Sequence, residues 1–470
     1  MVPTAESFDV VVIGGGPGGY ATALYGASAG LSVALIEKGK LGGTCLNVGC
    51  IPAKELLETA AVRRAVLDAA TFGVNTAEPT MDFAVTQARK QKVVDQLVGG
   101  LGTLLKRRKV TIYDGVGTLG PGHLVRVSGG ESGDVELLGE AVVIASGSVP
   151  RTIPGFEVDG ELVLTSDELL SLAPLPPTAA VIGGGAIGCE FASMMGDLGT
   201  RVTVLEALPR ILPGCDDDIT KLVVRGFSKR GIDVRTGVAV TGHTPRPEGG
   251  TTVAFGEGET LDVDVVVVSV GRRPYTEGLL AEGTAVVVDA RGFVEVDASC
   301  RTAEPGVYAV GDVIATPALA HVGFIEGIVV VKDILGEDPP PVDYSRVPWC
   351  IYCHPEVAFV GLSEQAATEA GLDVVTSSHR YIGNGRALII DEPDGMVKII
   401  ALRQPDGTGG QIVGVHMVGP WVTEQLGQGY LAVNWEATVD EVAAFIQPHP
   451  TLSELFGESV LALTGRSLHG

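Results

Sequence analysis

The sequence predicts an α/β protein with parallel sheets, built around two Rossmann-like units, and three observations carry that expectation. Strand-length apolar runs alternate with helical periods from the first residues onward. Two stretches follow one plan: strand, glycine-rich turn, small-residue helix, then a second strand ending in an acid. In both, the acid comes 23 positions after the first glycine, Glu37 after Gly14 and Glu206 after Gly183.

The first unit opens with the strand Val10 to Ile13 and turns through Gly14, Gly16 and Gly19 into a helix. It closes with the strand Ser32 to Ile36 and Glu37. With 65 glycines in 470 residues, a GxGxxG is expected about once by chance, so the motif alone is weak. Gly115, Gly117 and Gly120 form such a decoy, since Pro121 and Gly122 follow and no helix opens. The second unit repeats the full plan through Ala180 to Ile182, then Gly183, Gly185 and Gly188, then Arg201 to Leu205 and Glu206. That order lays a pyrophosphate on a helix N-terminus and an acid on a ribose hydroxyl. An acid at Glu206 repels a 2′-phosphate, so the second unit is expected to take NAD rather than NADP. A solvent-facing acid at a strand end is the plainer reading of Glu37 and Glu206, and only their matching positions argue against it. The cluster Pro174 to Pro177 reads as the start of the second domain, and Gly336 to Pro341 as a break before the last third.

Cys45 and Cys50 follow the first unit, in Gly42 to Pro52. The helical run from Lys54 onward places Cys50 at a helix N-terminus, whose positive end lowers a thiol pKa. Close to a dinucleotide turn, such a pair points to a flavin-linked dithiol/disulfide enzyme. Buried thiols or metal ligands are the commoner fate of intracellular cysteines. Zinc needs about four ligands, usually in close pairs, and no histidine lies near this pair, so no metal is expected. Cys350 and Cys353 form a second pair, but Val347 to Val357 reads as one strand, where an offset of three sends side chains to opposite faces.

Composition narrows the class. At 470 residues the chain has room for about three domains. A net charge of −24, from 33 basic and 57 acidic residues, disfavours nucleic acid and anionic membrane as partners. The basic run Lys106 to Lys109 reads as a solvated helix end. No apolar run approaches a membrane span, and Met1 to Phe8 lacks a basic region followed by an apolar one, so a cytoplasmic protein is expected. With seven cysteines in such a compartment, a functional disulfide is catalytic rather than structural.

His449 lies between Pro448 and Pro450, and its near-neutral pKa suits it to move a thiol proton. Glu454 could orient the imidazole. Thr451 to Glu454 is equally a capping box, which would make Glu454 a helix start, and the residues alone leave both readings open.

Taken together, the motifs resemble the pyridine nucleotide-disulfide oxidoreductases, almost end to end, and most closely the branch that oxidises dihydrolipoyl groups. The residues carrying the resemblance are Gly42 to Lys54, Gly271 to Thr276, Val307 to Asp312, Tyr352 to Gly361 and His449 to Glu454. It implies an FAD domain over 1–150, resumed over 275–345, with an NAD domain over 151–274 between them. An α+β interface domain over 346–470 would make a homodimer. On this resemblance Gly14, Gly16, Gly19 and Glu37 hold the ADP half of FAD, and Asp312 its ribitol. Lys54 lies beside the flavin ring, with Ala320 also at the flavin, while Gly271 and Glu190 belong to the nicotinamide side. Cys45 exchanges with substrate, Cys50 is the flavin-facing thiolate, and His449 with Glu454 reaches the other subunit's disulfide. The implied reaction is oxidation of dihydrolipoyl groups on a 2-oxoacid dehydrogenase or glycine cleavage protein, with NAD⁺ as acceptor. A reductase of a small disulfide, or a flavin-loaded docking or redox-sensing subunit, are the alternatives. Gln447, Val322 and Trp421 depart from the pattern, which has a histidine, a lysine and a small residue there.

Overall fold

The computed structural model describes residues 5–130 and 133–469; Met1 to Thr4, part of the stretch read for a leader, and Gly470 lie outside them. The first sheet has seven strands. Parallel strands run in the order Thr111–Asp114, Val33–Glu37, Glu6–Ile13, Val135–Ile144, with Val307–Ala309 beside the last half of Val135–Ile144. The antiparallel strands Leu124–Ser128 and Val116–Leu119 continue from its first half. Val10 to Ile13 and Val33 to Ile36 are buried on both faces, as strands covered by helices must be. The decoy glycines fall on and beside the Val116–Leu119 strand, and no long helix follows them.

The second sheet is wholly parallel and has five strands, Asp233–Thr236, Arg201–Glu206, Thr178–Ile182, Val265–Val268 and Val163–Leu164. Its edge strand Val163–Leu164 precedes the proline cluster, so the chain crosses earlier than Pro174 to Pro177 suggested. Ser148–Pro150 leaves the first sheet and Arg272–Pro274 returns to it, and these two strands pair antiparallel as a ribbon between the sheets. Composition is blind to such a crossing, which is set by pairing between residues more than a hundred positions apart.

The C-terminal part is a five-stranded antiparallel sheet, ordered Trp349–Ile351, Glu356–Gly361, Gly409–Gly419, Met396–Arg403, Val374–Arg380. The single strand expected over Val347 to Val357 is instead two short strands joined by a turn at Tyr352 to Pro355. Proline has no N–H to give a ladder, and the apolar residues on either side pair with each other instead. Cys350 is half-buried and Cys353 fully buried; Cys353 donates to the Pro355 carbonyl, 3.3 Å away, and stays apart from the redox pair. One apolar core joins the Cys50 helix, the second sheet and this third sheet, through residues such as Leu56, Phe191, Val267 and Phe359. Removing any one of the three would expose the others' apolar faces. Among the described residues no helix is long and apolar enough to cross a membrane.

Candidate active site

A cleft of about 1450 Å³ opens at the carboxyl ends of the parallel strands of both sheets, the crevice where doubly wound sheets take ligands. Both glycine turns line it. In each turn the three glycines answer different demands. Gly14 has φ +110°, and a Cβ there would lie 2.2 Å from the Ala145 carbonyl oxygen; on Gly19 it would lie 1.8 Å from that of Gly14. Gly183 and Gly188 repeat the pattern, with φ +105° at Gly183 and 1.9 Å from Gly188 to the Gly183 oxygen. The middle glycines differ. A Cβ on Gly185 would meet nothing within 4 Å, and one on Gly16 only the Gly43 Cα at 4.0 Å, and both residues line the cleft. Backbone open to the cleft at the mouth of a helix of twelve residues, without a protein atom that requires it, fits a pyrophosphate on each turn.

Glu37 and Glu206 are both pinned by backbone N–H groups, Glu37 half-buried and Glu206 buried. Glu37 accepts from the Gly15 and Gly39 N–H groups at 2.7 and 2.8 Å. Glu206, only 8 % exposed, accepts from those of Gly184 and Leu208 at 2.5 and 2.7 Å. Each carboxylate thus fixes the glycine turn and keeps lone pairs for a ribose hydroxyl. Two dinucleotides fit the residues present, one on each turn, with the Cys50 helix between them.

The redox pair is stitched to the first turn. Gly42 N–H donates to the Gly15 carbonyl at 2.9 Å, and a Cβ on Gly43 would lie 2.7 Å from the Gly16 Cα, which explains the glycine pair before Thr44. Helix Cys50–Asp68 starts at Cys50 itself, after Gly49. Cys45 and Cys50 are free thiols within hydrogen-bonding reach of each other. The bond from Cys45 pulls Cys50 down to about 7; burial opposes it and the Lys54 ammonium assists. The same bond and burial push Cys45 up. The two thiols therefore divide into a thiolate and its proton donor. Cys50 is exposed and Cys45 half-buried, the reverse of the expected order of access. Both line the cleft, so exposure there is access to the cleft rather than to bulk water.

Lys54 lies one turn along from Cys50 and meets Glu190, from the helix that follows the second glycine turn, at 2.8 and 2.9 Å. Glu190 also accepts from Tyr352 N–H at 2.9 Å. One buried carboxylate thus ties the redox helix, the second sheet and the third. Burial lowers the Lys54 pKa and Glu190 raises it, and the net direction is up, so the lysine stays charged. Farther along, Arg64 pairs with Asp197, which also holds Arg230.

Asp312 lines the cleft in a short turn after the Val307–Ala309 strand. Ser148 Oγ donates to it at 2.5 Å, and Arg272 Nε donates to Ser148 Oγ at 2.7 Å. Below it the fully buried Glu326 accepts from Gly311 N–H at 2.6 Å and from Tyr344 Oη at 3.0 Å, and burial raises its pKa. Ser148 and Glu326 were not singled out in the sequence. A serine in a strand and an acid in an apolar helix carry no local signal, though Arg272 sits inside a motif that did. Ala320, at the start of helix Ala320–Ile334, and Gly271 line the same cleft. Val322 is buried away from it.

His449 and Glu454 lie outside the cleft, on the C-terminal part. His449 Nδ1 and Glu454 Oε1 are 2.8 Å apart, and Glu454 Oε2 accepts from Thr451 N–H at 2.8 Å. Glu454 serves the imidazole with one oxygen and the Thr451 N–H with the other, but the capping box does not form: the helix starts at Glu454 after Ser453, and Thr451 Oγ bonds the Pro448 carbonyl and Ser453 Oγ instead. Burial pushes Glu454 up, but the bonds from Thr451 and His449 outweigh it and keep the carboxyl below its usual range. The His449 side chain is 78 % exposed. Gln447 packs beside it against Gly457, and Phe445, Ile446, Trp421 and Trp435 are exposed on the same part of the chain.

Comparison with known proteins agrees with this architecture. The family described as pyridine nucleotide-disulphide oxidoreductase matches residues 8–327, and its dimerisation domain matches residues 347–460. The dihydrolipoyl dehydrogenase of Bacillus subtilis is 44 % identical over 99 % of this chain and 100 % of its own length. That of Geobacillus stearothermophilus is 37 % identical over 98 % and 97 %. The crystal structure of LpdA from Mycobacterium tuberculosis superposes with a TM-score of 0.90 at 26 % identity, covering 98 % of this chain and 100 % of the other. The HOCl-induced flavoprotein disulfide reductase RclA from Escherichia coli gives 0.85 at 27 %, covering 96 % and 99 %. On its fold, its paired glycine turns and these matches, the chain belongs to the pyridine nucleotide-disulphide oxidoreductase family and carries that family's dimerisation domain.

Proposed function

We propose that this protein is a dihydrolipoyl dehydrogenase: it oxidises protein-bound dihydrolipoyl groups to lipoyl groups, with FAD and NAD⁺ as cofactors. The observation that carries the reading is the Cys45–Cys50 pair set between two dinucleotide turns, with its thiolate side next to Lys54. Residues 1–150 and 275–345 form the FAD part, 151–274 the NAD part and 346–470 the interface of a homodimer. Gly14, Gly16, Gly19 and Glu37 take the adenylate half of FAD, Asp312 and Ala320 its other end. Gly183, Gly185, Gly188, Glu206 and Gly271 take NAD, with Glu190 at the nicotinamide.

In the oxidised protein Cys45 and Cys50 are joined. A substrate thiolate attacks Cys45 Sγ, the S–S bond breaks, and Cys50 leaves as the thiolate that Lys54 stabilises. The second substrate thiol then attacks the mixed disulfide, closing the lipoyl ring and freeing Cys45 as a thiol. His449, reaching across the homodimer, takes the proton from the attacking thiol, and Glu454 holds its Nδ1 side. FAD held on the first turn and NAD⁺ held on the second would supply the redox chemistry that carries the dithiol's electron pair away. The carrier is the lipoyl-bearing protein of a 2-oxoacid dehydrogenase or glycine cleavage complex, in the cytoplasm. Gln447, and the likeness to RclA, favour reduction of a small disulfide as the second reading. Anaerobic addition of dihydrolipoamide, then NAD⁺, to the yellow protein separates the two. A long-wavelength thiolate-to-flavin band followed by NADH supports the proposal. Reaction only with NADPH and another disulfide overturns it.

A further inference from the structure

Lys38 and Tyr275 meet in the cleft, from the strands that flank the one carrying the first glycine turn, in a contact that no step above uses. Lys38 Nζ lies 3.5 Å from the centroid of the Tyr275 ring, and both residues line the cleft. They reach this point from opposite sides. Lys38 directly follows strand Val33–Glu37. Tyr275 is bolted to the end of strand Val135–Ile144, since its N–H donates to the Gly147 carbonyl at 2.9 Å and its carbonyl accepts from Ser146 Oγ at 2.7 Å. Between those strands runs Glu6–Ile13, whose end opens into Gly14 to Gly19. Strands two places apart are about 10 Å from each other, more than either side chain covers alone. The contact therefore bridges the middle strand and its glycine turn. Lys38 makes no ion pair among the described residues, Glu37 beside it being turned to backbone N–H groups, and the ring is the ammonium's partner.

We propose that Lys38 and Tyr275 form a strap across the first arm of the cleft that slows release of the flavin's adenylate half. The inference rests on the reading that this arm holds FAD. A bound dinucleotide lies with its pyrophosphate on the turn, beneath the strap, and leaves only when ammonium and ring part. The lysine places a positive charge over the phosphates, and the tyrosine keeps its four-carbon stem from swinging into solvent. Both are positioning residues, remote from the reacting sulfurs.

The test is the rate of flavin release from the holoenzyme on dilution into a mild chaotrope, read as recovery of free-flavin fluorescence. Lys38→Met and Tyr275→Ala should each release flavin about fivefold faster, the equivalent of about 1 kcal/mol. The double variant should be no faster than either single one, because each change breaks the same contact. Lys38→Arg and Tyr275→Phe keep a cation over an aromatic face and should retain the parental rate. Lys38 is exposed, so its replacement leaves folding alone and isolates the contact from general destabilisation. Parental release in both disrupting variants, or additive effects in the double variant, overturns the strap. Gly16→Val serves as the separate check on the placement of FAD. If it loses flavin while the strap variants release at the parental rate, only the strap fails. If it keeps flavin, the placement fails first.

Discussion

Replacing Cys45 by serine and by alanine asks which force holds the Cys50 thiolate. Cys50 titrates at about 7 against an ordinary 9.0, and the first cause is the hydrogen bond from the Cys45 thiol. Serine keeps a donor at that position and alanine removes it, and neither variant can form the disulfide. At pH 7 a thiol of pKa 7 is half thiolate; returned to 9.0 it is about 1 % thiolate, a roughly fiftyfold loss of the reactive form. The more basic thiolate is also the better nucleophile, by about tenfold over two units. Alkylation of Cys45→Ala at pH 7 should therefore be about fivefold slower than that of Cys45→Ser. The thiolate-to-flavin absorbance, titrated in the holoenzyme, should show the effect without that compensation, with the alanine midpoint displaced upward from the serine one. Both variants should keep flavin and lose dihydrolipoamide turnover. Coincident midpoints near 7 would refute the reasoning, for the helix N-terminus and Lys54 would then suffice by themselves.

The glycines and a buried histidine give further expectations. Gly188→Ala places a Cβ 1.9 Å from the Gly183 carbonyl oxygen, so it should destabilise the fold by about 3 kcal/mol in a denaturant titration. Gly185→Ala meets no protein atom, so it should melt like the parent yet bind NAD⁺ more weakly by calorimetry. His416 is fully buried between the Asp216 N–H, 3.2 Å from Nδ1, and the Leu362 carbonyl, 3.1 Å from Nε2. Burial lowers its pKa from 6.5 to about 4, so the unfolded chain protonates first on acidification. Its stabilisation is complete above pH 6.5 and is lost as pH falls toward 4, with a slope near 1.4 kcal/mol per pH unit from this one proton. His416→Gln should flatten the fall of unfolding free energy between pH 6 and 5, and an unchanged slope would assign it to other groups.

The parts of this protein that local chemistry dictates were legible in the sequence. Two glycine turns with an acid at matching distance, the Gly42 to Lys54 run and the proline-flanked His449 are contiguous, and each residue type answers a constraint within a few positions. The positive φ of Gly14 and Gly183 and the tight approach at Gly19 and Gly188 follow from the turn itself. Reading failed where strand pairing and the seating of elements decide. The strand expected over Val347 to Val357 folds back on itself, because the two apolar halves pair across Tyr352 to Pro355. The greater exposure of Cys50 than Cys45 depends on which wall of the cleft each thiol occupies, a matter of how the Cys50 helix is seated.

Sequence by itself determined the class of chemistry, two dinucleotide turns and a dithiol at a helix start, because backbone geometry and thiol acidity are set by neighbours along the chain. Only the tertiary structure decided how those parts combine. Lys54 meets Glu190 across 136 positions, Ser148 meets Asp312 across 164, and Lys38 meets Tyr275 over a strand that belongs to neither. Such contacts have no local signature, since a charge or a hydroxyl looks the same in a sequence whether water or a buried partner satisfies it. Packing the Cys50 helix and two of the sheets around one apolar core, with the first sheet on its own, chooses the partner, and with it which carboxylates, hydroxyls and rings face the cleft.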